Sequence, residues 1–580
     1  MPRPERRPFQ RRATGAAEAE LRSRFGDVLA RIYASRGVES AEALDLPMEA
    51  LLDPSGLAGI EAAVSLLEQA LARDARILFV GDFDADGATS VALGICALRA
   101  MGASRVDYVV PNRFEFGYGL TPEIVAFAES RDPELLITVD NGISSVEGVA
   151  AAKGKGWQVL ITDHHLQGAE LPAADAIVNP NLVGCTFASK ALAGVGVIFY
   201  VMAALRARLR AAGWFSNRGI QEPNLAELLD LVALGTVADL VPLDRNNRIL
   251  VRHGLNRVRR GLARPGIAAL CGVSGRKPER LSAADLGYAL GPRLNAAGRL
   301  EDMSIGIDCL LDTDIDSAFA RAEQLDRLNR ARREIEANMT EEALAILERI
   351  EPQEGMPCGL CLFDEGFHQG IVGILASRLR ERFHRPVFVC APAGDDASRR
   401  AELRGSGRSV SGFHLRDALA AIAVRNPGLI ERFGGHAMAA GLTLSRWQFP
   451  RFAEAFDEEV RRQLSEAELM GVIETDGELA PAELSLDMAR RIENAGPWGQ
   501  GFPEPLFEGR FDVVTTRQVG ERHTRLVLSA GDRMVDAVAF DTRVEPGIAR
   551  IAAAYRLGID SHEDVDTLQL VIEHLEVLAP

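Results

Sequence analysis

Residues 76–87 read RILFVGDFDADG, an apolar run that breaks into a turn of alternating acids. The near-continuous hydrophobicity over 76–80 suits a strand buried on both faces. Asp82, Asp84 and Asp86 follow at once, and Gly87 with Thr89 suits a tight turn into a helix over about 89–100. The pattern recurs. A strand over 135–139 ends at Asp140, and one over 158–162 ends at Asp163. Strands alternating with helices predict an open, mostly parallel α/β sheet. Ligands of such sheets sit beyond the carboxyl ends of the strands, which is where these acids fall.

Further along, 197–212 and 223–236 read as helices. A basic stretch over 245–280 holds ten Lys or Arg against Glu279 alone, about +9 locally. It suits a surface that tracks a phosphate backbone, or a solvated helix face. From 314 to 350 runs a charged helical stretch with no Gly or Pro, long enough to bridge two domains. A second α/β unit spans about 356–462. From about 466 the chain turns β-rich, with strands near 511–515, 524–529 and 568–572, the size and pattern of a small oligonucleotide-binding barrel. Residues 1–20 are rich in Arg, Pro and Ala and are expected to be flexible. The expected units are 1–45, a flexible and helical segment; 46–312, the parallel-sheet domain; 313–350, the connecting helix; 351–465, the second α/β domain; and 466–580, the barrel.

Composition sets outer bounds. The chain has 580 residues, 47% hydrophobic and 25% charged, ordinary for a soluble globular protein. Sixty-five basic against 82 acidic residues give −17, which argues against non-specific coating of nucleic acid and leaves room for a local basic channel. The only lysines are Lys153, Lys155, Lys190 and Lys277. Such Arg dominance fits a GC-rich coding bias and is no evidence of phosphate binding. No run of about 18 apolar residues predicts a membrane span, and 1–14 lack the apolar core of a secretory signal. Seven scattered Cys, an odd number, fit a reducing cytoplasm. Cys358 and Cys361 form a lone CxxC with no second pair, which does not make a zinc site.

The acids carry the chemistry. Asp82 and Asp84, two apart in extended backbone, point to one side, and crowded carboxylates repel unless a cation neutralises them. An EF-hand is excluded, because a strand precedes the cluster and a helix follows it directly. The other clusters are Thr138-Val139-Asp140-Asn141-Gly142, Thr162-Asp163-His164-His165 and Gly235-Thr236-Val237-Ala238-Asp239. Asp239 lies in a run apolar enough to be buried, and a buried Asp needs a partner. Each cluster alone is weak evidence. Four together, all expected at strand ends, suit Mn²⁺, Mg²⁺ or Zn²⁺ and two-metal phosphoester hydrolysis.

These residues carry a family resemblance. GDFDADG, TVDNG, TDHH and GTVAD resemble the four motifs of the DHH phosphoesterase superfamily. PNRFEFGYGL (111–120), LAGVGV (192–197), GPRLNAAGRL (291–300), RGSGRS (404–409), GGHAMAAG (434–441) and GPWGQGFPEPLF (496–507) resemble its RecJ branch of single-stranded-DNA exonucleases. The likeness runs from about residue 45 to the end. It implies a DHH catalytic domain, a DHH-associated α/β domain joined by the long helix, and a C-terminal OB-type barrel. It implies 5′→3′ hydrolysis of single-stranded DNA to 5′-mononucleotides in recombination and repair, with two divalent ions, Mn²⁺ or Mg²⁺. The substrate strand would be opened by a helicase or covered by single-strand-binding protein, and the enzyme would be cytoplasmic and bacterial with no membrane contact; a monomer is compatible with the resemblance but not implied by it.

By motif, Asp82, Asp84, Asp140, His164 and Asp239 are the implied metal ligands. Asp163 would orient a His, and His165 would contact the scissile phosphate or stabilise charge on it. Asp86 either joins the ligands or only caps its turn. Asp230 is a rival to Asp239 but falls outside GTVAD and is expected to face solvent. Arg404, Ser406 and Arg408, beside glycines, suit a phosphate cradle, and His436 on Gly434-Gly435 belongs to the strand-binding domain. Arg113 and Arg293 are expected to bind phosphates near the cleft, Arg293 from a loop. Tyr118 would stack on a base or pack. His368 and His414 read as structural. One departure is informative: small superfamily members, pyrophosphatases among them, carry a His four residues before the first Asp, and here Leu78 stands there. A phosphodiesterase for very short oligonucleotides or cyclic dinucleotides is a rival that needs no extra barrel. A non-catalytic scaffold is another, and such relatives lose ligands that this chain keeps.

Overall fold

The structure is a computed structural model; it describes residues 7–111, 119–354, 356–394, 401–520, 523–540, 542–562 and 565–578. Phe9–Arg11 forms β1. The first domain is built on β2 (Ile77–Gly81), β3 (Val106–Val109), β4 (Leu135–Val139), β5 (Gln158–Thr162) and β6 (Ala176–Val178). All pair in parallel, in the order β3-β2-β4-β5-β6. β2 and β4 are buried at every residue, as a sheet covered by helices on both faces requires. The helix after β2 begins at Ala85 rather than near residue 89. Asp84 caps it, its carboxylate accepting from the backbone N–H groups of Asp86 and Gly87, each at 3.0 Å.

The helix Ile315–Glu354 leads to the second domain. Its sheet contains β7 (Leu360–Phe363), β8 (Val387–Pro392), β9 (Glu402–Arg408), β10 (Arg432–Gly435) and β11 (Ala439–Ser445), in the order β10-β11-β9-β8-β7. Only β7 and β8 pair in parallel. β12 (Ile473–Thr475) precedes a closed barrel of β13 (Phe507–Val519), β14 (His523–Ala530), β15 (Arg533–Ala539), β16 (Arg550–His562) and β17 (Val565–Val577). The fold is the one expected: two α/β domains, a long helix between them and an OB-type barrel.

Two expectations need correction. Residues 7–20 are not a loose tail: β1 pairs in parallel with β12, and the helix Glu18–Ala34 follows. The basic stretch, too, is only in part a free cationic face. Arg245, Arg257, Arg259 and Arg264 donate to backbone carbonyls, and Arg276 and Arg280 pair with Asp285 and Asp566. Its charge largely ties helices to one another and to the barrel.

One clasp between the N-terminal helix and the barrel side is polar. Arg36 and Asp476, both essentially excluded from solvent, pair through two hydrogen bonds of 2.7 and 3.0 Å. Asp476 also accepts from the Leu506 N–H at 3.0 Å, at the entrance to the barrel. Asp476→Ala leaves a buried guanidinium without its counter-ion, at a cost of about 3–5 kcal/mol. The expected readout is a lowered midpoint of chemical unfolding; a midpoint within error of the parent would refute the clasp.

Candidate active site

The carboxyl ends of β2, β4 and β5 converge on one point. Asp82 stands just after β2, Asp140 after β4, and Asp163, His164 and His165 after β5. Asp140 holds a left-handed backbone, φ +61°, rare for a residue with a side chain and characteristic of functional sites. Asp239 is not at a strand end as expected. It caps the helix Leu229–Ala238, which reaches the same point from another side.

Ligand-type atoms form three overlapping groups, in each of which all atoms lie within 4.8 Å of one another: Asp82, Asp84 and Asp140; Asp86, His164 and Asp239; and Asp140, His164 and His165. His164 Nε2 lies 3.0 Å from Asp140 Oδ1 and 3.6 Å from Asp239 Oδ2. That nitrogen is buried and has no hydrogen-bond partner. Burial, with the charge of His165, lowers His164 to about 4, so its ring is neutral at physiological pH and keeps a lone pair for a cation. Burial, and then the neighbouring carboxylates, push Asp140 and Asp239 well above the ordinary carboxylate range. Carboxylate oxygens with imidazole nitrogen, and no thiolate, fit Mn²⁺ or Mg²⁺.

Asp86 does more than cap a turn. It is buried and raised to about 7 by desolvation and by Asp84. Its oxygens accept from the Gly194 and Val195 N–H groups at 2.6 and 2.9 Å, at the start of the helix Gly194–Ala211. Asp163 accepts from His165 Nδ1 at 2.8 Å and from the Ile143 N–H at 2.9 Å. Burial lowers His165, but the Asp163 hydrogen bond and the charges of Asp163, Asp82 and Asp84 outweigh it and hold the imidazole above its ordinary value. Asp230 does not face solvent. It is buried and accepts from the Leu231 and Arg264 N–H groups, away from the cluster.

Four asparagines that sequence reading passed over brace this centre. Asn141 Nδ2 donates to the carbonyls of Val80 and Val139, tying the ends of β2 and β4. Asn179 and Asn181 donate to the carbonyls of His165 and His164 at 2.8 and 2.6 Å. Asn295 Oδ1 accepts from the Ala85 N–H at 2.7 Å. The one signal was position, since each lies in or beside a quoted motif or a strand end.

Asn295 belongs to the helix Gly291–Leu300, so Arg293 is not on a loop. Arg293 is mostly buried and bound to Asp326 at 2.8 Å and to the Ala289 carbonyl, which joins this helix to the long one rather than to a ligand. Gly298 meets the Phe83 carbonyl so closely that a Cβ would fall 1.9 Å from it. Arg299 Nη1 donates to the Gly370 carbonyl of the second domain.

That domain brings its own polar face. RGSGRS lies on the strand β9, with Arg404, Ser406 and Arg408 on one side and Gly405 and Gly407 buried on the other. Ser406 and Arg408 stand over the start of the helix Val372–Phe383, where a Cβ on Gly373 would be 3.0 and 3.1 Å from them. Burial, then Arg380, lowers Arg408. His436 sits in the β10–β11 turn, where Gly435 has φ +132° and a Cβ would strike the Ala439 carbonyl. Partial burial and then the charge of His165 lower its imidazole, so the two domains face each other here. His368 accepts from the Gly370 N–H, and His414 caps the helix Leu415–Arg425, the structural uses expected of both. Arg113 and Tyr118 lie outside the described residues. All seven cysteines are free thiols, and among the described residues no single helix is long and apolar enough to cross a membrane.

Comparison with known proteins agrees with this geometry. Family models match for the DHH family N-terminal domain over 76–236, the DHHA1 domain over 357–462 and the RecJ OB domain over 475–574. The chain is 54% identical over 573 residues to the single-stranded-DNA-specific exonuclease RecJ of Dickeya dadantii, covering 98% of this chain and 99% of that one. Against its Escherichia coli counterpart the identity is 51% over 564 residues, covering 96% and 97%. Among solved structures, RecJ of Thermus thermophilus in complex with Mn²⁺ superposes with a TM-score of 0.80 at 29% identity, covering 99% of this chain and 80% of that one. The Mg²⁺ complex superposes with a TM-score of 0.75.

Proposed function

The chain belongs to the RecJ family of single-stranded-DNA-specific exonucleases, and from that premise we propose a metal-dependent hydrolase that shortens single-stranded DNA from its 5′ end to 5′-mononucleotides. The observation that carries it is the acidic cluster at the sheet's carboxyl ends, opposed by the Arg404–Ser406–Arg408 face of the second domain. Asp82, Asp84, Asp140, His164 and Asp239 would hold two divalent ions, Mn²⁺ or Mg²⁺, with Asp86 closing the set. Bound there, the ions supply charge neutralisation at the phosphoryl oxygens and a more acidic water.

The protein's own residues bind and orient the substrate. Arg404, Ser406 and Arg408 take the terminal phosphate through charge-assisted hydrogen bonds. Asp163 fixes His165 through Nδ1, which leaves Nε2–H to donate to the scissile phosphate as charge builds. His436 approaches from the opposite wall. The barrel adds grip on the strand beyond. The small-substrate reading is weakened by this barrel, and the scaffold reading by the intact acid set.

The setting proposed is bacterial cytoplasmic recombination and repair, by a monomer acting on strands opened by a helicase or covered by single-strand-binding protein. Digestion of end-labelled strands with Mn²⁺ tests the core claim. A 5′ label should leave at once as mononucleotide while a 3′ label marks a shrinking ladder; loss of the 3′ label first would overturn the polarity. Replacing both Arg404 and Arg408 with Ala should weaken the preference for 5′-phosphorylated over 5′-hydroxyl strands by about tenfold or more, at roughly 1.5–3 kcal/mol per charged hydrogen bond. An unchanged preference would place the terminal phosphate elsewhere.

A further inference from the structure

Away from the acidic cluster, a cavity of about 540 Å³ opens where the helices Glu18–Ala34, Arg245–Arg259 and Leu486–Ala495 meet. Five arginines line it, Arg24, Arg248, Arg252, Arg490 and Arg491, against two carboxylates, Asp45 and Asp487. Asp45 already pairs with Arg24 at 2.8 Å. Arg490 pairs with Asp566, and Arg491 donates to the Phe25 carbonyl.

Arg248 and Arg252 are different. Neither guanidinium has a hydrogen bond or an ion pair among the described residues. Arg252 is exposed. Arg248 is only 6% exposed, its Nε is buried and unbonded, and its guanidinium lies 4.2 Å from the centre of the Phe502 ring. Burial lowers it only to about 10, so it keeps its charge at neutral pH. The charge of Asp244 opposes that burial without a hydrogen bond to the guanidinium, and a bound anion would add to its support. Phe25 and Tyr33, edge to face at 5.2 Å, line the same cavity. Tyr33 is fixed there by donating to the Ala495 carbonyl.

Guanidinium groups beside aromatic rings match a phosphate joined to a base. We propose that this cavity is a second nucleotide-binding site, holding one phosphate-bearing nucleotide unit between Arg248, Arg252 and the Phe25–Tyr33 pair. It rests on the reading that the substrate is single-stranded DNA. The unit arrives either as a link of the strand under degradation or as a free mononucleotide already released.

Binding without turnover separates this proposal from the nuclease reading. In EDTA, the full chain is titrated with 3′-labelled dT30 by anisotropy and with dTMP by calorimetry. Arg252→Glu and Arg248→Gln are compared with the parent, with folding checked by circular dichroism. Both titrations are repeated in the Arg404→Ala/Arg408→Ala background, so that the phosphate face of β9 does not supply the signal. Weakening of dT30 by about tenfold assigns the unit to the strand. Weakening or loss of dTMP binding assigns it to the free nucleotide. If folded variants bind both probes as the parent does, the site does not exist.

Discussion

Asp140→Asn is expected to abolish Mn²⁺-dependent hydrolysis while making the metal-free protein more stable. Asp140 stands in two of the three ligand groups, beside Asp82 and Asp84 and beside His164. Losing its charge removes several kcal/mol of transition-state stabilisation, so turnover should fall on the order of 10³-fold or more. The stability effect has the opposite sign. Burial and the charges of Asp86, Asp84, Asp239 and Asp82 all raise the Asp140 carboxyl above its ordinary value. A carboxyl raised on folding favours the folded state below the ordinary carboxylate range and withdraws that support as pH rises through its folded value. For Asp86 that value is about 7. The metal-free parent should therefore lose melting temperature between pH 5 and pH 8. Asp140→Asn should flatten that slope, and Mn²⁺ should stabilise the parent more at pH 8 than at pH 6. A variant that melts below the metal-free parent at pH 8 would mean that Asp140 is held by hydrogen bonds rather than strained by its neighbours.

The parts legible in the sequence were those written in continuous apolar runs. Strands 135–139 and 158–162 stand where they were expected, because each centres on a run of buried aliphatic residues, Leu135–Ile137 and Val159–Ile161. β3 and β6 went unread: they are short edge strands, and β3 exposes Asp107 mid-strand. The acids at the ends of β2, β4 and β5 were legible for the same reason as the strands. Asp239 was placed correctly in the cluster but on the wrong element, since an apolar segment reads equally as buried strand or buried helix. The glycines of RGSGRS suit a phosphate cradle but do not reveal that the segment is a strand. Here they are thin for packing: a Cβ on Gly405 would meet Cys390 Sγ at 2.8 Å, and one on Gly407 the Phe388 ring at 2.5 Å. That packing is what sends Arg404, Ser406 and Arg408 to the other face. The bracing asparagines were invisible for a different reason. Two of them act on a backbone group far away in sequence, 61 residues for Asn141 and Val80 and 210 for Asn295 and Ala85, while Asn179 and Asn181 reach back 14 and 17, and a single sequence carries no record of such pairs.

His165→Ala is expected to lower kcat by about 10²–10³-fold with Mn²⁺ affinity nearly unchanged. His164 and His165 are adjacent, with ring centres 4.5 Å apart, yet their surroundings push them in opposite directions. His164 is lowered to about 4 and is neutral, suited to a cation. His165, held by Asp163, is raised and favours the imidazolium, which repels a cation and suits a phosphate. Two like neighbours with separated proton affinities divide the labour of binding metal and donating to substrate. His164→Ala should accordingly lose Mn²⁺ affinity in calorimetry, whereas His165→Ala should not. The pH profile gives the second arm. If protonated His165 is the working form, kcat falls as pH rises through its folded value. Asp163→Asn removes both the hydrogen bond and the charge that raise it, so the fall should move to lower pH. A His165→Ala protein that binds Mn²⁺ as weakly as His164→Ala would make both imidazoles ligands. An Asp163→Asn profile unmoved from the parent would take the titrating donor away from His165.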